Sequence, residues 1–322
     1  MSSIDIPEFV LKGSLFASVS GGKDSTAMCL HMRELGLPYR AVFADTGWEH
    51  ADTYRHLREV LEDTIGPIAW VRAEVPLEGD RLAMAEELEE MLGHYSAMVR
   101  WVLKKAVMPA RMLRWCTPET KVHPIDAFMS SATTGEIVSA QGIRAGESRA
   151  RAKLTEWEFA EDRDLWTWRP LIAWSEADVI ATHHRHGLMP NPLYLRGAER
   201  VGCWPCIFAR KSEIKLIADT DPVRIDVIRK LEAYTAQLSR ERIHSRGDIQ
   251  TGHDPSWFQA AYRFESADGR TGYHYPIDEV VLWSRTARGG RQFELFAPLT
   301  EPGCVRWGLC EAQITPPADE QR

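Results

Sequence analysis

The sequence has no apolar run approaching the roughly 18 residues that a membrane span requires. Its first residues, MSSIDIPEFVLKG, have no basic flank followed by an apolar core. No signal peptide is therefore expected, and a cytoplasmic location follows by default. Charge of one sign is not in large excess: 39 Lys and Arg against 46 Asp and Glu leave a net charge of -7. That balance argues against coating nucleic acid over the whole surface. Two local basic runs remain, Arg100, Lys104, Lys105, Arg111, Arg114 and Lys121 in one and Arg144, Arg149, Arg151 and Lys153 in the other. Both can meet a polyanion, and the first reads equally well as a solvated helix face. There is no internal repeat, and the only low-complexity stretch is the tail QITPPADEQR. The six cysteines (Cys29, Cys116, Cys203, Cys206, Cys304, Cys310) are not expected to form a disulfide framework in a cytoplasmic protein of 322 residues. They raise instead the question of a metal or redox role.

What is present reads as an ordinary soluble protein, 44% hydrophobic and 26% charged. SLFASVS (14–20) is a short apolar run that stops at Gly-Gly, the pattern of a buried parallel strand. Helical spacing follows over 24–35, then a strand over 39–47, a helix over 50–65, a strand over 67–73, a helix over 80–93 and a strand over 135–144. This alternation predicts an α/β fold with a doubly wound, mainly parallel sheet. Residues 157–172 alternate around a charged centre and predict a hairpin. Residues 175–187 predict a helix with Ser175 as N-cap and Gly187 just past its end. Turns and a Cys-rich loop occupy 188–210, and 213–245 is helical with a break at Pro222. The expected division is a nucleotide-binding catalytic domain over 1–215 and a helical and irregular region over 216–322.

The first strand runs directly into Ser20-Gly21-Gly22-Lys23-Asp24-Ser25 and then into a helix. A helix N-terminus presents unpaired N–H groups and the positive end of the dipole, so it attracts anions. Gly21 and Gly22 let the backbone approach phosphate oxygens. Ser20 and Ser25 supply hydroxyls, Lys23 a cation, and Asp24 a carboxylate able to hold Mg²⁺ against phosphates. The loop is not a Walker A loop, because Ala17 stands where that pattern needs Gly, and the Rossmann G-x-G-x-x-G pattern is also missing.

SGGKDS after a first strand resembles the PP-loop of the ATP pyrophosphatases, which split ATP between its α- and β-phosphates. ADTGWEHADTYRHL (44–57), RWCTPETKVHP (114–124), GIRAGESRAR (142–151), RPLIAWSEADVI (169–180) and NPLYLRGAERVGCWPC (191–206) resemble, in order, the phosphoadenosine phosphosulfate (PAPS) reductase-like branch. The resemblance spans roughly 12–215 and is closest to the iron–sulfur, DNA-phosphorothioation and phage-type members. It implies an adenine nucleotide α-hydrolase-like fold and ATP with Mg²⁺ on Ser20, Gly21, Gly22, Lys23, Asp24 and Ser25. It further suggests that Asp45 faces the nucleotide. Arg144 and Arg149, just past the fourth strand, suit phosphate or sulfate through charge-assisted forks, with Glu147 as an orienting partner. Lys23, Asp24, Ser25 and Arg144 are the candidate catalytic residues.

Cys203-Trp-Pro-Cys206 is a C-x-x-C that fits a zinc half-site, an iron–sulfur half-site or a redox pair. The resemblance implies a [4Fe-4S] cluster on Cys116, Cys203 and Cys206, with zinc as the lesser alternative. Cys310 is the expected fourth ligand, ahead of Cys304. Cys29 reads as a buried helix residue. His183, His184 and His186 read as a helix end in preference to a metal cluster. The Glu-Cys-Gly-x-His motif that carries the nucleophilic cysteine of sulfonucleotide reductases is missing, as is their paired Cys-Cys motif. The expected function is therefore ATP pyrophosphatase chemistry that activates an acceptor, with sulfur transfer supported by the cluster. The expected partners are a nucleic-acid acceptor and a sulfur-donating protein, with no membrane. The alternatives are a PAPS or adenylyl-sulfate reductase, and a nucleotide-binding regulatory partner without turnover.

Overall fold

A computed structural model of the chain describes residues 13–111, 113–246, 256–260, 273–286 and 303–309. Strand β1 (Ser14–Val19) leads through a three-residue turn into α1 (Lys23–Glu34), then β2 (Arg40–Ala44). Helix α2 runs from Ala51–His56 through a π-helical stretch, Leu57–Leu61, into Glu62–Ile65. Strand β3 (Ile68–Val71), α3 (Gly79–Leu92) and α4 (Ala97–Lys105) follow. A second π-helical stretch, Pro118–Val122, opens α5 (His123–Ala132), before β4 (Ile137–Gln141). Strands β5 (Trp157–Ala160) and β6 (Leu165–Trp168) form the expected hairpin. Helices α6 (Glu176–Arg185), α7 (Pro192–Leu195), α8 (Lys211–Thr220) and α9 (Pro222–Arg246) come next. Beyond them lie β7 (Phe258–Ala260), β8 (Tyr273–Tyr275), α10 (Ile277–Ser284) and α11 (Gly303–Arg306).

The main sheet has the order β3-β2-β1-β4-β6-β5, parallel except for β5. Ala17 of β1 pairs with Ala41 of β2 on one side and Ala140 of β4 on the other. Because β1 lies between β2 and β4, the connections diverge at its carboxyl end. That switch point is where open α/β sheets leave a crevice for ligands, and it is where residues 20–22 leave the sheet. The α/β, mainly parallel architecture is as expected. Strand β6 adds to β4 in parallel, so the hairpin becomes the sheet edge.

Of the three apolar clusters among the described residues, two lie beside the site. One packs α1 and α2 on the sheet through Leu15, Met28, Leu30, Phe43, Leu57 and Val138. The other joins Trp48, Leu88, Val102, Leu193 and Trp204 to Ile228 and Leu231 of α9, with Trp257 and Ile277. Residues on both sides of position 215 therefore share one core. Ser175 caps α6 as expected: its hydroxyl accepts from Asp178 N at 3.2 Å, and the Asp178 carboxylate accepts from Ser175 N at 2.7 Å. Pro222 opens α9 at its first residue, where a missing N–H costs nothing. Among the described residues no helix is long and apolar enough to cross a membrane.

Candidate functional site

The turn after β1 is fixed by its glycines. Gly21 has φ +71°, and a Cβ there would lie 2.8 Å from Thr53 Cγ2. Gly22 is the extended N-cap of α1. Ser25 Oγ donates to Gly22 O at 3.1 Å and lies 3.1 Å from Ser20 N, which donates to it. Thr26 Oγ1 also donates to Gly22 O, at 3.0 Å. From outside the loop, Asn191 Nδ2 donates to Gly21 O at 3.2 Å and Lys23 N donates to the Tyr194 hydroxyl at 3.1 Å. His183 Nε2 lies 3.0 Å from Lys23 O. Gly142, just past β4, presses against the first turn of α1: a Cβ would be 2.8 Å from Asp24 C and O and from Ser25 Cα. Residues 20–25 thus lie at the switch point.

Charge is dense around the first turn of this helix. Lys23 is buried, with Nζ 3.3 Å from Glu176 Oε1 and 3.5 Å from Asp24 Oδ2, and it sits 5.2 Å from the Tyr194 ring centroid. Arg144 Nε donates to Asp24 Oδ1, which joins the end of β4 to the loop. Burial works against the Arg144 cation, but Asp24, Glu147 and Glu176 outweigh it and raise its pKa. Glu147 accepts from Arg144 N at 2.9 Å and pairs with Arg151. Arg149 is exposed and has no ion-pair partner among the described residues, so Arg144 alone of the two arginines touches the loop. Asp45 directly follows β2, and its Oδ1 accepts from Gly47 N at 3.0 Å and from the Tyr54 hydroxyl at 2.8 Å. It lines a cleft of about 560 Å³ with Arg58, Glu62, Trp70, Val71 and Arg72. His50 caps α2.

The cysteines form a second neighbourhood. Cys203 bridges antiparallel to Glu49, Trp204 N donates to Trp48 O at 2.7 Å, and Trp48 Nε1 donates to Pro205 O at 3.1 Å. These contacts bring the C-x-x-C loop against the segment after β2. Burial pushes the Cys203 thiol up to about 12; Lys121 acts in the opposite direction, while Glu49, Cys206 and Cys116 add to the rise. Burial also raises Cys116, with Cys206 the next cause. Lys121 is raised chiefly by Cys203 and then by Glu49 and Cys206, against its burial. Cys116, Cys203 and Cys206 therefore share one environment with the half-buried Lys121, whose charge opposes the rise of the Cys203 and Cys116 thiols without cancelling it. In kind, the donors fit a thiolate-bound metal. Among the described residues, however, no three His, Cys, Asp or Glu side chains are grouped to hold a metal ion. Cys310, the expected fourth ligand, lies outside the described residues.

The remaining expectations resolve simply. Cys29 is buried on α1, and burial pushes its thiol up to about 12. His183, His184 and His186 diverge to Lys23 O, Trp307 O and Glu34 Oε1, so they form no metal cluster. Sequence reasoning did not single out Gly142, Glu176, His183, Asn191 or Tyr194 as supports of the loop. Four of them stand inside the motif stretches quoted above, which was the available signal. Residues 303–309 carried none, yet Arg306 pairs with Glu176 and Trp307 packs on His183 and Tyr194.

Residues 14–209 match the phosphoadenosine phosphosulfate reductase domain family. The chain belongs to this family. The matched span begins with β1 and ends just past the C-x-x-C loop, so it holds both neighbourhoods. An uncharacterized 37.8 kDa protein of Escherichia phage 186 is 36% identical over 91% of this chain and 96% of its own length. Adenosine 5'-phosphosulfate reductase of Allochromatium vinosum is 30% identical over 61% of this chain and 68% of its own. The crystal structure of a PAPS reductase from Candida auris covers 63% of this chain and 84% of its own at 20% identity, with a TM-score of 0.43.

Proposed function

We propose that this family member binds Mg-ATP on residues 20–25 and cleaves it between the α- and β-phosphates to activate an acceptor. The observation that carries this reading is the glycine-built turn at the switch point, which gathers Ser25, Lys23 and Arg144 about the first turn of α1. An acceptor oxygen attacks the α-phosphorus, and the bond from that phosphorus to the bridging oxygen breaks. The leaving pyrophosphate takes the electron pair. Lys23, Arg144 and the amides oppose the charge that develops on it, in a site where buried cations act strongly. Asp24 would hold Mg²⁺ against the phosphates. Arg149 is exposed and suited to a phosphate or acceptor arriving from solvent.

Cys116, Cys203 and Cys206, with Cys310, would hold a [4Fe-4S] cluster, or zinc as the lesser alternative. When bound, the cluster would supply sulfur or electron chemistry. Cys203→Ala should lose most of the iron that anaerobically purified wild type carries, and unchanged iron content would remove the ligand assignment. The proposed acceptor is a nucleic acid, with sulfur from a partner protein. Lys104 lies 5.2 Å from the Trp101 ring, and Arg111 and Arg114 lie 5.8 and 5.1 Å from the Phe208 ring, which gives a cationic, aromatic surface beside Cys116.

A second reading, a sulfonucleotide reductase, draws on the 30% identity to the Allochromatium vinosum enzyme. It needs a nucleophilic thiol, and the Glu-Cys-Gly-x-His motif is missing from this sequence. Pyrophosphate release from Mg-ATP, measured with acceptor fractions present and abolished in Lys23→Met, tests the first reading. Nucleotide binding without any pyrophosphate would point to a regulatory partner instead.

A further inference from the structure

Residues 303–309 touch four residues that surround the phosphate loop: Tyr194, His183, His184 and Glu176. A Cβ on Gly303 would lie 2.0 Å from the Tyr194 carbonyl oxygen, so the two backbones are in close contact. Trp307 is 2% exposed, and its ring meets His183 edge-on at 5.1 Å and Tyr194 at 5.7 Å. The Trp307 carbonyl lies 2.7 Å from His184 Nε2. Arg306 pairs with Glu176. Three of the residues touched hold Lys23 in turn: His183 at its carbonyl, Tyr194 at its amide and Glu176 at its ammonium.

We propose that Glu176 is the resident counter-ion of Lys23, that a nucleotide phosphate must displace it, and that Arg306 takes up the released carboxylate. The C-terminal segment then sets nucleotide affinity. This rests on the reading of residues 20–25 as a phosphate site.

The charges alternate along Arg144, Asp24, Lys23, Glu176 and Arg306. Three cations against two carboxylates leave the row one positive charge, so moving one carboxylate away from Lys23 matters to an incoming polyphosphate. Glu176 is placed to move. Its backbone is pinned at the start of α6 by the Ser175 cap, while its side chain is 36% exposed and can turn to Arg306 without entering an apolar layer. Lys23 is placed to stay, because it is 8% exposed and its ammonium lies over the Tyr194 ring. A carboxylate shared between two cations is divided by their competition, so losing one strengthens its hold on the other.

The test is calorimetric titration of the full chain with Mg-ATP, comparing wild type, Glu176→Gln, Arg306→Gln and the double variant. Glu176→Gln should bind about threefold more tightly, and Arg306→Gln about threefold more weakly, because Glu176 then turns wholly to Lys23. In the double variant the Arg306→Gln loss should vanish, a pattern that a merely structural arginine would not give. Weaker binding by Glu176→Gln, or an Arg306→Gln loss that persists in the double variant, overturns the proposal while the nucleotide site stands. A wild-type chain that binds neither Mg-ATP nor adenylyl sulfate overturns both.

Discussion

At the scale of single residues, the site depends on glycines where atoms come too close for any side chain. Gly142 shows this best. Its φ lies outside the left-handed region, so the demand is not conformational: an added Cβ would lie 2.8 Å from the backbone of Asp24 and Ser25. Backbone on both sides has no rotamer with which to yield. Gly142→Ala should therefore cost about 1–3 kcal/mol in a denaturant melt and weaken Mg-ATP binding at least tenfold. Wild-type stability and binding in that variant would show that β4's end does not brace the loop. The loop residues themselves were legible in the sequence, because Ser, Gly, Gly, Lys, Asp and Ser at a strand end have little other physical use. Gly142 was not, since a glycine's closest neighbour is a matter of tertiary contact. Arg144 and Arg149 looked alike as guanidiniums past one strand, and only folding separates the buried one on Asp24 from the exposed one.

Elements were legible where periodicity was strong. The strands of the sheet interior and α1, α3 and α6 follow from apolar runs and caps. Helix α4 was missed because it is only nine residues long, although Met98, Val99, Val102 and Leu103 form a continuous buried face, and the packing of α9 follows from contacts far away in the chain. Two buried ionisable groups on these helices make opposite demands on pH. His56 of α2 is pulled down to about 4 by burial, with His183 of α6 adding to the effect. Its folded pKa lies below its unfolded one, so its stabilising contribution is present above about pH 6.5 and is lost as pH falls toward 4. Glu232 of α9 accepts from Trp257 N at 3.0 Å and Ile277 N at 2.9 Å, and burial pushes its carboxyl up to about 7. Its contribution is present at low pH and is lost as pH rises through 7. Between pH 7 and 5.5 each is worth on the order of 1–2 kcal/mol, with opposite signs. These two contributions nearly offset each other over this range, while His31, His50 and His183, also lowered by burial, add to the loss on acidification. Relative to wild type, His56→Gln should lose less stability on acidification and Glu232→Gln should lose more, as read from urea midpoints. Identical pH slopes in the two variants would contradict the burial account.

At the scale of the whole molecule, the chain brings distant segments onto one crevice. The C-x-x-C loop docks beside β2 through Trp48 and Trp204, α9 closes over the same core, and residues 303–309 return to the phosphate loop. None of this last contact was visible in the sequence, because a short segment with one Trp and one Arg has no periodicity to read. The family and the α/β sheet follow from collinear motifs and matched residues. The reaction turns on the nucleophile. An α–β cleavage needs cations at a leaving pyrophosphate, which the loop supplies. A sulfonucleotide reduction needs a thiol at sulfur, for which the sequence lacks the expected motif. The deciding measurement gives the anaerobically purified 322-residue chain Mg-ATP in one reaction and adenylyl sulfate or PAPS with a dithiol donor in another. Pyrophosphate from ATP, dependent on Lys23, with no sulfite from either sulfonucleotide, is the result predicted. Lys23-dependent sulfite without pyrophosphate would contradict the account.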